Sequence, residues 1–195
     1  MLKEKLKDFN IILASGSPRR QQFLRDLDID FEIRLKEVDE IYPNHLRENE
    51  ITEHLSVLKS DAFEGTLEPN DILITSDTIV WFEGKALGKP KHFDDAFQML
   101  TSLSGKTHTV ITAVTFRTHN TTHTLSEVTH VTFNTLTEEA IQYYLDVYRP
   151  FDKAGSYGIQ EWIGFVGVSK IEGSYANVMG LPVDKVYQYL LNLVS

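Results

Sequence analysis

The feature that most constrains this chain is a short apolar run that stops abruptly at a helix start. Ile11-Ile12-Leu13-Ala14 has the length and content of a buried strand. It ends at Ser15-Gly16-Ser17-Pro18, where Ser17 suits an N-cap and Pro18 suits the first helical position. Arg19 to Leu27 then reads as helix, with Phe23, Leu24 and Leu27 on one face. A helix N-terminus presents unpaired N–H groups and a partial positive charge. Ser15 and Ser17 add hydroxyls, Gly16 allows close backbone approach, and Arg19 and Arg20 add cations that fork onto phosphate oxygens. The plainer alternative is a capped helix with two surface arginines, and these residues alone leave both open.

The pattern beyond it alternates. Phe31 to Leu35 reads as strand and Asn49 to Phe63 as helix, with Ile51, Leu55, Leu58 and Ala62 inward. Ile72 to Thr75 is a second buried strand ending at Ser76-Asp77-Thr78, and Ile79 to Phe82 continues extended. Asp94 to Leu103 is helical, while Val110 to Phe116 and Thr124 to Phe133 are Thr-rich, β-branched strands. Thr137 caps a helix with Glu138 and Glu139 in its first turn, Ile163 to Ile171 reads as strand, and Pro182 starts a terminal helix through Leu193. Strands alternating with helices imply an α/β fold with a mixed sheet. With 195 residues, no internal repeat and no linker, one domain spanning 1–195 is expected. Ile41 to Asn49 and Arg149 to Ser156 are the expected long loops.

Charge narrows the function. Nineteen basic against 28 acidic residues leave a net charge of −9, which disfavours nucleic acid as a partner but permits a small anion held by focused cations. Without cysteine there is no disulfide, thiolate metal site or Cys nucleophile. The charged start MLKEKLKDFN does not read as a leader, and no run reaches the roughly 18 apolar residues of a membrane span, so the expected setting is cytoplasmic, without a membrane partner.

Several residues carry possible chemistry, each beside a plainer reading. Asp77 follows a buried strand, where the carboxyl ends of strands line a binding crevice; it would hold Mg²⁺ or act as a base, or merely form a turn. Lys59 and Lys89 add cations if they converge on the Ser15–Arg20 loop, and are solvated surface charges otherwise. Glu37-Val38-Asp39-Glu40 suits a hard divalent cation or a solvated loop. The run Asp152 to Gln160 holds two glycines and a Gln able to read a base edge, or is a structural loop. His119 and His123 have a spacing that faces one way only on a helix, and they sit instead in a polar hairpin tip. No Walker-type loop, GxGxxG, HExxH or GxSxG is present.

Taken together, ILASGSPRRQQFL (Ile12 to Leu24, preceded by Ile11), SDTIV (Ser76 to Val80), GKP (Gly88 to Pro90), LSGKTHTVITAV (Leu103 to Val114), DKAGSYGIQ (Asp152 to Gln160) and IEGSYANVMGLPV (Ile171 to Val183) resemble the Maf-type nucleoside triphosphate pyrophosphatases. The blocks stand in that family's order along nearly the whole chain. The resemblance implies a mixed α/β fold: a long twisted sheet flanked by helices, with two lobes around a central cleft. It implies hydrolysis of a nucleoside triphosphate to monophosphate and pyrophosphate with a divalent cation, Mg²⁺ or Mn²⁺. By motif, Asp77 corresponds to the catalytic acid/base and Glu40 assists at the metal. Ser15, Ser17, Arg20, Lys59 and Lys89 bind substrate phosphates, and Arg19, Thr78 and Gln160 set base preference. That combination points to the branch acting on dTTP and UTP, since a Gln edge pairs with the carbonyl and N–H of uracil or thymine and mispairs with cytosine. One departure is Glu161-Trp162-Ile163 after Gln160, where a glycine is common. The resemblance also suggests a homodimer. The rival readings are a pyrophosphatase for modified or purine nucleotides and a non-catalytic nucleotide-binding regulator of cell division.

Overall fold

The computed structural model describes residues 1–195. Its elements in chain order are α1 (Leu2–Leu6), β1 (Asn10–Leu13), α2 (Pro18–Asp26), β2 (Glu32–Ile33), α3 (Asn49–Asp61), β3 (Asp71–Phe82), β4 (Lys85–Leu87) and α4 (Phe93–Leu103). Then follow β5 (Thr107–Arg117), β6 (Thr122–Phe133), α5 (Glu138–Tyr148), a 3-10 turn (Ala154–Ser156), α6 (Trp162–Gly167), β7 (Val168–Glu172), α7 (Tyr175–Val178) and α8 (Val183–Leu193). The expected mixed α/β fold is present: seven strands form one sheet in the order β2-β1-β3-β5-β6-β7, with β4 beside β3. β1 runs parallel to β2 and β3, whereas β3–β4 and β6–β7 are antiparallel.

The chain divides into two compact units, residues 1–77, 112–127 and 180–195 in the first, and 78–111 and 128–179 in the second. Each has its own core. In the first, β1 is apolar on both faces, so Ile11 and Leu13 join Leu24, Ile72, Ile74, Phe116 and Leu190, while Ile12 joins Phe63, Leu67 and Leu73. This is the period of two expected of a strand covered on both sides. α3 is held by hydroxyls as well as by Ile51 and Leu55: Thr75 Oγ1 donates to the Ser56 carbonyl at 2.7 Å, and Ser56 Oγ lies 2.8 Å from Thr115 Oγ1. In the second unit Val80, Phe82, Leu100, Val110, Val131, Phe133, Tyr144 and Ile159 form the core. α4 and α5 start on side-chain caps, His92 accepting from the Asp95 N–H and Thr137 from the Ala140 N–H.

Three expectations fail. The apolar run Ile163 to Ile171 is not one strand: residues 162–167 form α6, and only Val168–Glu172 pairs, with β6. An apolar run of this length is ambiguous by periodicity, and the glycines decide it. A Cβ on Gly164 would stand 1.8 Å from the Ile159 carbonyl oxygen, so the helical turn closes on the preceding loop only because residue 164 has no side chain. The second is the end of the second strand. β3 does not stop before Ser76 but runs unbroken from Asp71 to Phe82. Phe31 to Leu35 shortens to the two paired residues Glu32 and Ile33.

Candidate active site

Seven of the residues singled out in the sequence meet around the β1–α2 junction of the first unit. Ser17 is the N-cap of α2, its hydroxyl accepting from the Arg20 N–H at 3.5 Å. Ser15, buried one residue past Ala14, accepts from the Ser17 N–H at 3.2 Å and from Arg20 Nη1 at 3.4 Å. The hydroxyls and the first turn of the helix therefore share one anion-favouring corner. Gly16 has no positive φ, and a Cβ there would meet only Leu35 Cδ1, at 3.9 Å. The protein's own packing does not require glycine at that position.

Arg20 reaches across to the parallel strand β3. Its Nη1 donates to the Ser76 carbonyl at 3.0 Å and its Nε to the Gly180 carbonyl at 2.8 Å. The guanidinium thus braces the residue just before Asp77. Burial lowers the Arg20 pKa from its usual value to about 10, with Asp77 raising it, Arg19 lowering it and Glu40 raising it. At neutral pH it stays charged, and those four groups feel one another's fields.

Asp77 lies inside β3 and is 6% exposed, so the turn-forming reading of its sequence position is excluded. A nearly buried carboxylate needs a partner. Lys59, on the last turn of α3, provides it: Nζ stands 2.6 Å from Asp77 Oδ1. The same Nζ stands 2.8 Å from Glu40 Oε1, whose side chain is half exposed on the irregular stretch after β2. The ammonium therefore joins an inner and an outer carboxylate. Two hard oxygen donors within reach of one cationic centre fit Mg²⁺, which takes one or two protein carboxylates and completes its shell with water and phosphate oxygens. No group of three or more His, Asp or Glu residues converges anywhere in the chain.

Thr78, Lys89 and Gln160 belong to the second unit. Thr78 follows Asp77 on β3. Lys89 is exposed just after β4, in a segment tied to the Asp152–Gln160 loop by the Gly155 N–H donating to the Gly88 carbonyl at 3.1 Å. Gly155 has φ +67°, and a Cβ there would lie 2.8 Å from Val80 Cγ2, so glycine is required twice over. Gln160 Oε1 is buried and accepts no hydrogen bond. Buried amide oxygens are nearly always paired, which sets this one apart from the rest of the loop.

The same loop is held by polar contacts that no sequence pattern announces. Tyr157 Oη pairs with His108 Nε2 at 2.7 Å beneath Phe133. Burial pushes the His108 pKa down to about 4, so the ring is neutral at pH 7. Tyr144 Oη accepts from the Gly158 N–H at 2.9 Å and donates to Glu161 Oε2, and Lys153 Nζ lies 3.1 Å from Glu161 Oε1. Only the Asp152–Gln160 motif hinted at Lys153; Tyr144 is a core aromatic by periodicity. His119 and His123 part company in the first unit: His119 Nδ1 bonds the Leu67 carbonyl, and the His123 ring stacks on Tyr189.

A mixed α/β sheet with a serine-and-arginine corner beside a buried, lysine-paired acid defines a protein built to handle phosphate anions. The fold is similar to that of the Staphylococcus aureus Ham1 protein, at a TM-score of 0.55, 13% identity, and coverage of 94% of this chain and 99% of that one. The family model described as Maf-like protein matches residues 10–193, and the chain belongs to the Maf family. It is 63% identical over 194 residues to the dTTP/UTP pyrophosphatase of Flavobacterium johnsoniae, covering 100% of both chains. It is 55% identical over 195 residues to that of Christiangramia forsetii, again over 100% of both. With that of Bacteroides thetaiotaomicron it shares 48% over 189 residues, 96% of this chain and 98% of the other.

Proposed function

We propose that this chain hydrolyses dTTP and UTP to their monophosphates and pyrophosphate. The observation that carries it is the buried Asp77 carboxylate, paired with Lys59 and braced by Arg20 beside the N-terminus of α2. A binding-only protein has no need of a desolvated acid next to an anion corner, since the acid repels the anion it would bind.

In the reaction, water attacks the α-phosphorus, the bond to the bridging oxygen breaks, and pyrophosphate leaves. Asp77 Oδ2 takes the proton of that water, while Oδ1 remains on Lys59. Ser15, Ser17, Arg19, Arg20, Lys59 and Lys89 hold phosphate oxygens, and the positive end of α2 favours the same charge. Asp77 and Glu40 would hold the divalent cation; when bound, it neutralises charge on the phosphates and lowers the pKa of coordinated water. Arg19, Thr78 and Gln160 set base preference, with the unpaired Gln160 Oε1 accepting the N3–H of uracil or thymine. A homodimer and a cytoplasmic setting, where such nucleotides are held, complete the assignment; no helix is long and apolar enough to cross a membrane.

The test is pyrophosphate release from dTTP, UTP, CTP, GTP and a 7-methylated GTP, side by side with Mg²⁺ or Mn²⁺. Fastest release from dTTP and UTP is expected. Fastest release from a purine nucleotide would move the substrate class, and no release at several enzyme equivalents of substrate would end the enzymatic reading.

A further inference from the structure

A glutamine amide is a poor discriminator by itself. Turned one way, it offers a carbonyl to the N3–H of uracil and an N–H to the adjacent carbonyl. Rotated by half a turn, it offers an N–H to N3 of cytosine and a carbonyl to its amino group. Choosing between these bases therefore needs a group that forbids one of the two orientations. Rejection through unpaired polar groups works only when the reader cannot adapt.

Such a group stands beside Gln160. Gly158 marks the place, because its missing side chain leaves room for two others. A Cβ there would lie 2.9 Å from Glu161 Oε2 and 3.0 Å from Gln160 Nε2. The carboxylate and the amide nitrogen thus close over the same glycine, with the buried, unpartnered Oε1 at the other end of the amide. The two atoms therefore stand no more than 5.9 Å apart, and with the amide rotated a carbonyl oxygen would take the nitrogen's place near the carboxylate, where two like partial charges repel. The carboxylate is itself held at both oxygens. Tyr144 Oη donates to Oε2 and is kept from turning by the Gly158 N–H, which it accepts at 2.9 Å. Lys153, 9% exposed, holds Oε1 at 3.1 Å, and its second carboxylate partner is the more exposed Asp152 at 2.8 Å. The Glu161 N–H adds a bond to the Gly158 carbonyl at 3.0 Å, which fixes the turn.

We propose that Glu161, anchored by Tyr144 and Lys153, is a positioning residue that locks the Gln160 amide in the orientation that accepts an N3–H, and so makes the site select uracil and thymine over cytosine. The inference rests on the base-reading role of Gln160 proposed above.

The experiment compares UTP and CTP in Glu161→Gln and in Tyr144→Phe. Binding is titrated calorimetrically without divalent cation, and kcat/KM is measured with it. Glu161→Gln keeps shape and removes the charge that orders the amide. The UTP-to-CTP ratio is expected to fall about tenfold, or about 1.4 kcal/mol, mainly through tighter CTP binding. Tyr144→Phe is expected to move the ratio the same way by about threefold. A residue that only stabilises the loop would weaken both nucleotides alike and leave the ratio unchanged, and that result overturns the proposal. If Glu161→Gln does not fold, Tyr144→Phe alone decides. Equal binding of the two nucleotides by the unaltered protein also overturns it. Unequal binding that Glu161→Gln equalises, with no pyrophosphate released by any variant, upholds the amide lock while removing the enzymatic assignment.

Discussion

The Lys59 ammonium lies 2.6 Å from Asp77 Oδ1, and Asp77 is 6% exposed. Each ion depends on the other for its stability in the fold. Removing one partner of a buried pair leaves an uncompensated charge, which costs more than the pair itself contributes. Lys59→Met is expected to lower the unfolding free energy by about 3 kcal/mol. Adding Asp77→Asn to Lys59→Met should restore part of that loss, read as a coupling energy in a double-mutant denaturation cycle. Additive effects would mean the two side chains do not share their charge.

His108 gives the protein a pH-dependent stability. Its folded pKa is about 4 against 6.5 in a free side chain, because burial disfavours the imidazolium. Between those values the unfolded chain binds more protons, so stability rises with pH through that window and falls on acidification. The full difference is on the order of 3 kcal/mol. His108→Gln, which can still bond Tyr157, should flatten the unfolding midpoint between pH 4 and 6.5. An unchanged slope would assign it to the carboxylates.

Two glycines separate packing from ligand approach. Gly155→Ala meets Val80 at 2.8 Å with φ at +67°, so a loss of about 2–4 kcal/mol is expected from strain and overpacking together. Gly16→Ala meets only Leu35 at 3.9 Å, so its stability should stay within about 0.5 kcal/mol of the unaltered protein. Its KM for UTP should nevertheless rise, if phosphate approaches the backbone there. Parallel thermal melts and steady-state kinetics check both, and an unaltered KM would place the phosphates elsewhere.

What could be read from the chain in advance was local. The strand–SGSPRR–helix unit is encoded within seventeen consecutive positions, Asn10 to Asp26, and Ser17 and Thr137 cap their helices as their side chains dictate. Boundaries failed where tertiary contacts override periodicity. Gly164 admits a helical turn against Ile159, and Asp77 remains in β3 because Lys59 and Arg20 neutralise and brace it there. The convergence of Glu40, Lys59 and Asp77 had no spacing to announce it, because it depends on how α3 packs on the parallel strands. Tyr144 and His108 were hidden for another reason: an aromatic or a threonine-flanked His at core periodicity looks the same whether its polar atom is used or not.

Asp77→Asn tests the central claim most directly. The amide keeps the size of the side chain and can still accept from Lys59, so the protein should remain folded and bind UTP. It cannot take the proton of the attacking water, and turnover should fall by at least about a hundredfold. Pyrophosphate release and UTP binding, measured on the same preparation with Mg²⁺ present, give the answer. Binding kept and turnover lost is the expected result; binding kept with the full rate of pyrophosphate release would contradict the role of Asp77 as the base.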